Sequence, residues 1–253
     1  MRRGPLQYIA SILYIFLFYL MMPIYGLLYL PWAIVSRDGA LQALHAYTRA
    51  VRWSARWMIG IRTEIRGTVP TGEVLICAKH QSLLDVMLIF NAVPKPKFIM
   101  KSILKYAPVL GWYAMRIGTI TVNRGRRAEA IREMMDGVKA GVYQGGQLII
   151  YPQGTRVPPG QHEPYKVGAA VLYGEMNQTC IPVATNVGLF WPKRSLLRKP
   201  GLAVIEFLEP IPPGLPRRKF LELLEARIEA GSNALMREGG FDPDAVPDHD
   251  RGA

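Results

Sequence analysis

The sequence predicts an α/β fold with a mostly parallel central sheet flanked by helices, and with an N-terminal hydrophobic membrane helix or helical hairpin. Two observations predict this architecture. After Gly60, short apolar strand-like runs alternate with helix-like segments, which is typical of a parallel sheet covered by helices. Before it, no charged residue occurs from Gly4 to Ser36. The 253 residues, half of them hydrophobic, suffice for one domain with a full core and exclude a wholly disordered chain.

The uncharged N-terminal run is longer than one simple membrane span, because a bilayer core needs only about 20 helical residues. Residues 1–38 are therefore predicted to be a membrane anchor. Three arrangements stay open: one tilted helix, a span followed by an interfacial stretch, or a hairpin broken at Pro23. More arginines follow the run than precede it, which favours a domain on the cytoplasmic face of the inner or plasma membrane.

The next segment, residues 39–58, is predicted to be an amphipathic helix at the membrane interface. Arg49, Arg52 and Arg56 share one face of that helix, with Trp53 and Trp57 beside them. Arginine next to tryptophan suits the depth of lipid headgroups. The alternative is an ordinary solvated face on a helix that packs against the domain.

The alternating part of the chain, residues 39–238, is predicted to be the main domain, and residues 239–253 a flexible tail. The predicted strands are Val74–Ala78, Lys97–Lys101, Thr119–Val122, Leu148–Tyr151, Ile181–Thr185 and Ala203–Leu208. The predicted helices are Asp85–Asn91, Arg127–Val142, Tyr165–Met176 and Arg217–Arg237.

The net charge and the positions of the two cysteines indicate which partners and which cellular compartment to expect. A net charge of +12 favours acidic partners: anionic lipid headgroups, nucleic acid or phosphorylated substrates. The two cysteines, Cys77 and Cys180, lie far apart in apolar strand-like runs and form no metal motif and no disulfide framework. We expect both to be buried thiols in a reducing compartment.

A histidine and an aspartate follow the first predicted strand of the domain. His80 and Asp85 would lie about 140° apart on one regular helix, so His80 must belong to a loop before the helix that holds Asp85. Ser82 supports this boundary, because Ser-x-x-Asp is a capping box. The motif then offers a base and a carboxylate that orients it. The alternative is that the capping box alone explains Ser82 and Asp85.

A glycine turn with an arginine follows another strand, in the segment Tyr151–Arg156. Pro152 and Gly154 end the strand, and a glycine turn can direct backbone N–H groups at an anion. Arg156 can bind that anion with two parallel hydrogen bonds. Arg124, which follows the predicted strand 119–122, can bind the same anion. The alternative for either arginine is a surface charge.

Four ordered motifs carry a resemblance to a known family. The chain resembles the glycerolipid acyltransferases, specifically the 1-acyl-sn-glycerol-3-phosphate acyltransferases, over about residues 60–210. The matching segments are His80-Gln81-Ser82-Leu83-Leu84-Asp85, Val122-Asn123-Arg124, Tyr151-Pro152-Gln153-Gly154-Thr155-Arg156 and Ile181-Pro182-Val183-Ala184. There are two departures: the family has Asn where this chain has Lys79, and Glu where it has Gln153.

The resemblance implies that residues 39–238 form an acyltransferase domain with His80 and Asp85 as catalytic residues. His80 would remove a proton from the acceptor hydroxyl, which would attack the thioester of acyl-CoA or acyl carrier protein as co-substrate. We expect no cofactor and no metal. The implied substrate-binding residues are Arg124, Gln153, Gly154, Thr155 and Arg156. A nucleophilic role for Ser82 is the rival, disfavoured because its hydroxyl is expected to cap the helix.

The leading hypothesis is that the protein acylates 1-acyl-sn-glycerol-3-phosphate to phosphatidic acid. One alternative is a same-family enzyme that acts on another lysolipid, such as a lyso-aminolipid; a second is a non-catalytic, basic membrane-surface or nucleic-acid-binding protein. No nucleic-acid-binding motif is recognisable, so we expect membrane lipids and no nucleic acid as partners. A basic loop beside Phe190 and Trp191 is predicted to be a second bilayer contact; its cations are Lys193, Arg194, Arg198 and Lys199.

Overall fold

The computed structural model describes residues 4–123, 127–139 and 146–245, and in them a seven-stranded sheet lies between helices. The strands are β1 Ile61–Arg66, β2 Val74–Ala78, β3 Pro96–Lys101, β4 Ile120–Val122, β5 Gln147–Ile150, β6 Cys180–Thr185 and β7 Gly201–Phe207. The helices are α1 Pro5–Val35, α2 Arg37–Ile59, α3 Leu83–Ala92, α4 Leu110–Arg116, α5 Arg127–Lys139, α6 Gly168–Met176 and α7 Arg217–Glu238.

The sheet order is β1-β7-β6-β2-β5-β3-β4, and every pair is parallel except β6 with β7. The predicted α/β class with a mostly parallel sheet is confirmed. Because β6, β2, β5, β3 and β4 run in the same direction, their carboxyl ends meet at one edge of the sheet. Loops at that edge hold the ligands in many open α/β sheets.

The apolar runs located six strands within two residues of their observed bounds, but β1 was not predicted. Its sequence places Arg62, Glu64 and Arg66 among the apolar residues, because β1 is an edge strand with a largely half-exposed surface. Helix α4 was also not predicted. Helix α6 begins at Gly168 rather than Tyr165. The predicted end of α5 at Val142 lies outside the described residues.

Helix α1 continues through Pro23 to Val35, so the prediction of a hairpin broken at Pro23 is wrong. The chain reverses at the next residue, Ser36, whose side chain accepts a hydrogen bond from the Asp38 N–H at 3.1 Å and caps α2. Gly39 permits the reversal, since a Cβ there would lie 2.6 Å from the Trp32 backbone. In the described part of the chain, α1 alone is long and apolar enough to cross a membrane.

One face of α1 belongs to the core of the sheet domain. Tyr14 and Phe18 pack edge-on against Trp191, with ring centroids 5.6 and 5.4 Å apart. Tyr14 also donates a hydrogen bond to the Val51 carbonyl at 2.9 Å, which joins α1 to α2. Phe190 and Trp191, the rings beside the predicted basic loop, are both buried in this core and take no part in a bilayer contact. That the basic loop itself contacts the bilayer stays a prediction.

The residues predicted to form one interfacial face of α2 lie in different environments in the structure. Arg52 is half-buried and turns inward, where its guanidinium donates hydrogen bonds to Asn91 Oδ1 at 2.5 Å and Thr63 Oγ1 at 3.0 Å. Trp53 and Trp57 remain exposed. Whether residues 1–38 act as an anchor and residues 39–58 lie at the interface stays a prediction.

Truncating Trp191 tests how far α1 and the sheet form one core. Trp191 is 4% exposed and Trp53 is 69% exposed. We expect Trp191→Ala to lower the free energy of unfolding by about 3–5 kcal/mol, because it leaves a cavity between α1 and the sheet. Trp53→Ala should change it by no more than about 0.5 kcal/mol. Chemical denaturation in detergent micelles measures both, and equal losses would contradict this packing.

Candidate active site

The site lies at the carboxyl edge of the sheet, where two motif-bearing loops leave adjacent strands. His80 follows β2, and Tyr151 begins the glycine-containing turn that follows β5. Strands β2 and β5 are paired, with Cys77 opposite Ile150. The two loops also bond directly, because the Val157 N–H donates to the His80 carbonyl at 2.8 Å.

His80 and Asp85 form a hydrogen-bonded dyad. His80 Nδ1 lies 2.9 Å from Asp85 Oδ1, which leaves Nε2 as the nitrogen free to face an acceptor. The His80 side chain is 13% exposed, whereas that of Asp85 is fully buried. A carboxylate on Nδ1 fixes the ring orientation and favours the tautomer whose Nε2 lone pair can accept a proton.

The same carboxylate closes the first turn of α3. Asp85 Oδ2 accepts hydrogen bonds from the backbone N–H groups of Gln81 at 2.8 Å and Ser82 at 2.6 Å. Ser82 Oγ accepts from the Leu84 N–H at 3.1 Å, so the predicted capping box is confirmed. The Ser82 hydroxyl is thereby occupied as a cap, which disfavours a nucleophilic role.

An aromatic side chain supports the imidazole from one side. The ring of Tyr151 stacks on His80 with centroids 4.0 Å apart, and Phe98 stacks behind Tyr151 at 6.3 Å. The Tyr151 hydroxyl is buried without a hydrogen-bond partner in the described part of the chain. Burial, together with the nearby charge of Asp85, raises the pKa of Tyr151 well above its usual value, so the phenol stays neutral.

The turn after β5 presents the predicted substrate-binding residues in different environments. Gly154 has a φ of 72°, the left-handed region that glycine tolerates. Gln153 is buried, and its amide nitrogen donates to the Glu163 carbonyl at 3.1 Å, whereas its amide oxygen finds no partner among the described residues. Thr155 is exposed and Arg156 half-buried. Arg124 lies outside the described residues.

A basic cleft of about 560 Å³ opens next to the loop that holds His80, because Gln81 and Val157 line it and the Val157 N–H bonds the His80 carbonyl. Its lining includes Gln81, Thr155, Arg156, Lys193 and Arg194, so three cations face it. Lys193 Nζ donates to Thr155 Oγ1 at 3.3 Å and to the Arg156 carbonyl at 3.1 Å, which ties the two loops together. Burial and the neighbouring charges of Arg156 and Arg194 lower the pKa of Lys193, as expected where like charges lie close together.

Sequence reasoning assigned Lys193 and Arg194 to a bilayer contact and missed their place beside Arg156. The fold brings Lys193 to the turn at Arg156, and no local sequence pattern predicts a contact between residues so far apart in the chain. A second residue that was missed is Lys79, which is buried behind His80 with Glu229 of α7.

A second, more apolar cavity of about 500 Å³ lies between the sheet and helices α5 and α6. Its apolar lining includes Ile99, Ile131, Met134 and Ile150. Tyr151 and Gly154 also line it, so it reaches the dyad and the turn. Within residues 4–123, 127–139 and 146–245, no three His, Cys, Asp or Glu side chains form a group that could hold a metal ion.

The chain is similar in sequence to several curated proteins. The 1-acyl-sn-glycerol-3-phosphate acyltransferase of Pseudomonas aeruginosa is 28% identical over 157 residues, which cover 61% of this chain and 61% of that protein. The enzyme of the same name from Saccharomyces cerevisiae is 27% identical over 194 residues, with 74% of this chain and 63% of that protein covered. The chain thus spans about three fifths of the length of these curated relatives.

The fold has a counterpart among solved structures. The crystal structure of the 1-acyl-sn-glycerophosphate acyltransferase from Thermotoga maritima superposes with a TM-score of 0.73, over 89% of this chain and 94% of that one, at 23% sequence identity. At that identity the likeness shows the fold. A family model described as Acyltransferase matches residues 60–186, half of the chain, from β1 to the residue after β6. The chain therefore belongs to the Acyltransferase family.

Proposed function

We propose that this protein transfers a fatty acyl chain from acyl-CoA or acyl carrier protein to the sn-2 hydroxyl of 1-acyl-sn-glycerol-3-phosphate, giving phosphatidic acid. The observation that carries the proposal is the His80–Asp85 dyad beside a cleft lined by Arg156, Lys193 and Arg194. A base next to a cluster of cations suits an acceptor that has both a hydroxyl and a phosphate. The names of the relatives support the same substrate.

The dyad would act as a general base in a direct transfer. His80 Nε2 takes the acceptor's hydroxyl proton while the hydroxyl oxygen attacks the thioester carbonyl. The resulting imidazolium is stabilised by Asp85 through the 2.9 Å contact at Nδ1. As the C–O bond forms and the C–S bond breaks, the thiolate leaves and takes the proton back from His80. No covalent enzyme intermediate is required.

The basic cleft would hold the acceptor's phosphate. Arg156 offers a planar fork for two phosphate oxygens, and the ammonium of Lys193 adds a point charge beside it. Because Lys193 also donates a hydrogen bond to the Arg156 carbonyl, it would fix the backbone of Arg156 and so help to position its guanidinium. Gly154 and Thr155 would complete the phosphate site with turn N–H and hydroxyl groups, and Arg124 with a further guanidinium.

The second cavity would take the acyl chain of the donor. Its lining is apolar along β3, β5 and α5 and becomes polar only near Gly154 and Lys166. Tyr151 lines this cavity and stacks on His80, so a thioester at the mouth of the cavity would lie near the base.

A different lysolipid acceptor is the second candidate, and Gln153 favours it. The related motif has a glutamate at this place, whereas the Gln153 amide is neutral and its buried oxygen has no partner among the described residues. Such an oxygen can accept a hydrogen bond from an acceptor N–H or O–H group. Purified protein, labelled acyl-CoA and a panel of lysophosphatidic acid, lyso-aminolipid and other lysolipids would decide between the two.

We also propose that the protein works at the cytoplasmic face of a membrane. The outer surface of α1 is apolar and exposed along its length, and the segment 102–116 extends it with exposed side chains. Tyr113 and Arg116 hold this segment against α1 by hydrogen bonds to the Gly26 and Ala33 carbonyls. The exposed apolar residues of the segment are Ile103, Leu104, Tyr106, Trp112 and Met115.

Removing the base tests the mechanism. We expect His80→Ala to lower acyl transfer by about 10²–10⁴-fold, the usual contribution of a positioned acid–base group. Asp85→Asn should be strongly impaired and remain folded, because an amide still accepts backbone hydrogen bonds but cannot stabilise imidazolium. Rates with a long-chain acyl donor and melting temperatures measure both. A folded His80→Ala protein with near-normal turnover would refute this mechanism.

Changing the guanidinium tests phosphate binding. Arg156→Ala should weaken use of lysophosphatidic acid by about 2 kcal/mol in kcat/KM, since a charge-assisted contact is lost. Arg156→Lys should recover only part, because the planar fork is lost. The exposed Arg218 on α7, which pairs with Glu222, gives a matched control in Arg218→Ala. If Arg156→Ala matched the control, the acceptor without phosphate would be favoured.

A fluorescent probe tests membrane contact at the segment 102–116. NBD attached to Tyr106→Cys should be quenched by spin-labelled lipid in vesicles, because the 72% exposed Tyr106 would lie among acyl chains. NBD at Arg218→Cys should respond only to aqueous iodide. The native cysteines are buried and should label poorly. Lipid quenching at residue 106 no greater than at residue 218 would contradict this contact.

A further inference from the structure

The residue before the proposed base carries a buried ammonium group. The side chain of Lys79 is 1% exposed, and its Nζ lies 2.7 Å from each carboxylate oxygen of Glu229 on α7. Burial lowers the pKa of Lys79, and the charge of Glu229 opposes that shift. Lysine is almost never fully buried unless it is paired, so this placement needs a reason.

A third side chain completes a closed group. The Tyr165 hydroxyl donates to Glu229 Oε1 at 2.9 Å. Burial and the charge of Glu229 raise the pKa of Tyr165 far above its usual value, so the phenol remains a neutral donor. Glu229 therefore receives hydrogen bonds from the residue before His80 and from the loop before α6. Lys79 and Tyr165 are buried, whereas the side chain of Glu229 is 20% exposed. We name Lys79, Tyr165 and Glu229 the buried cluster.

Both segments held by the buried cluster lead to the proposed site. Lys79 precedes His80, and its N–H donates to the Val183 carbonyl at 2.9 Å, which fixes the strand end. Next to Tyr165, the Lys166 N–H donates to the Pro152 carbonyl at 3.0 Å, at the start of the glycine turn. Glu229 thus joins the base and the proposed anion-binding turn through one carboxylate. None of the three side chains lines the basic cleft, and Tyr165 is the member that lines the second cavity.

Stability alone does not explain such a group. Replacing a buried ion pair with apolar residues of similar size is often neutral or stabilising, whereas removing one partner is strongly destabilising. We propose that Lys79, Glu229 and Tyr165 are positioning residues that hold His80 in register with the glycine turn. This inference rests on the proposed function, because it concerns the same site. It also accounts for Lys79, where the related motif has asparagine.

The double variant Lys79→Met/Glu229→Leu separates positioning from stability. Each single substitution leaves an unpaired group and should lower the melting temperature, whereas the double variant removes both charges and should regain it. We expect kcat of the double variant to stay at least about 10-fold below wild type, because a small displacement of a catalytic group costs rate even in a stable fold. Recovery of kcat together with the melting temperature would overturn the proposal.

Tyr165→Phe supplies an independent readout, because it removes one hydroxyl and no charge. His80 stays held by Lys79, while the loop next to the glycine turn loses its bond to Glu229. We expect KM for the lysolipid acceptor to rise about 5–10-fold with kcat within about 2-fold, whereas the double variant, which loses both bonds of Glu229, should lower kcat as well. An unchanged KM would overturn the link to the turn even if the double variant failed to fold.

Two comparisons complete the experiment. Glu222→Gln breaks the exposed Arg218–Glu222 pair on the same helix and should leave kcat, KM and melting temperature as in wild type. Wild-type protein without acyl transfer to any lysolipid would refute the proposed function. Active wild type with an equally active double variant would refute only the positioning role.

Discussion

The structure depends above all on the buried carboxylate of Asp85, whose two oxygens make two different sets of hydrogen bonds. One oxygen takes the backbone N–H groups of Gln81 and Ser82 and begins α3; the other takes the His80 ring nitrogen. A buried carboxylate is costly unless it is fully hydrogen-bonded, so any other orientation would leave a charge without partners. The bonds that start the helix therefore also orient the proposed base, and catalytic geometry follows from local folding at the end of β2.

The N-terminal helices and the site belong to one packed body. Tyr14 and Phe18 of α1 share a hydrophobic cluster with Tyr151, which stacks on His80. Trp191 lies in the same cluster, two residues before Lys193 in the lining of the basic cleft. Because cores of this density resist small displacements, a membrane that held α1 would also set the height and tilt of the cleft above the bilayer. Attachment through α1 would then be coupled to the position of the cleft by packing rather than by a linker.

Sequence reasoning succeeded where a local pattern sufficed. The capping box and the strand before it placed His80 and Asp85, since both depend on residues within one turn. It failed where tertiary contacts decide. The basic loop beside Phe190 and Trp191 was predicted to contact the bilayer, but one of its cations, the Arg198 guanidinium, lies over Trp191 at 4.7 Å inside the protein. The same chemistry suits a headgroup layer and a buried cation–π contact, so only packing distinguishes them. The meeting of Lys193 with the turn is likewise a result of topology.

The two departures from the related motif, Lys79 and Gln153, make physical sense together. Glu229 already supplies one carboxylate behind the site, neutralised by Lys79 and hydrogen-bonded by Tyr165. A glutamate in place of the buried Gln153 would bring a carboxylate oxygen against the Glu163 carbonyl, which now accepts from the Gln153 amide and cannot donate a hydrogen bond. An amide can bond that carbonyl and adds no charge. The negative charge near the site therefore comes from Glu229 on α7. With that charge present, the neutral Gln153 is the favourable residue in the turn.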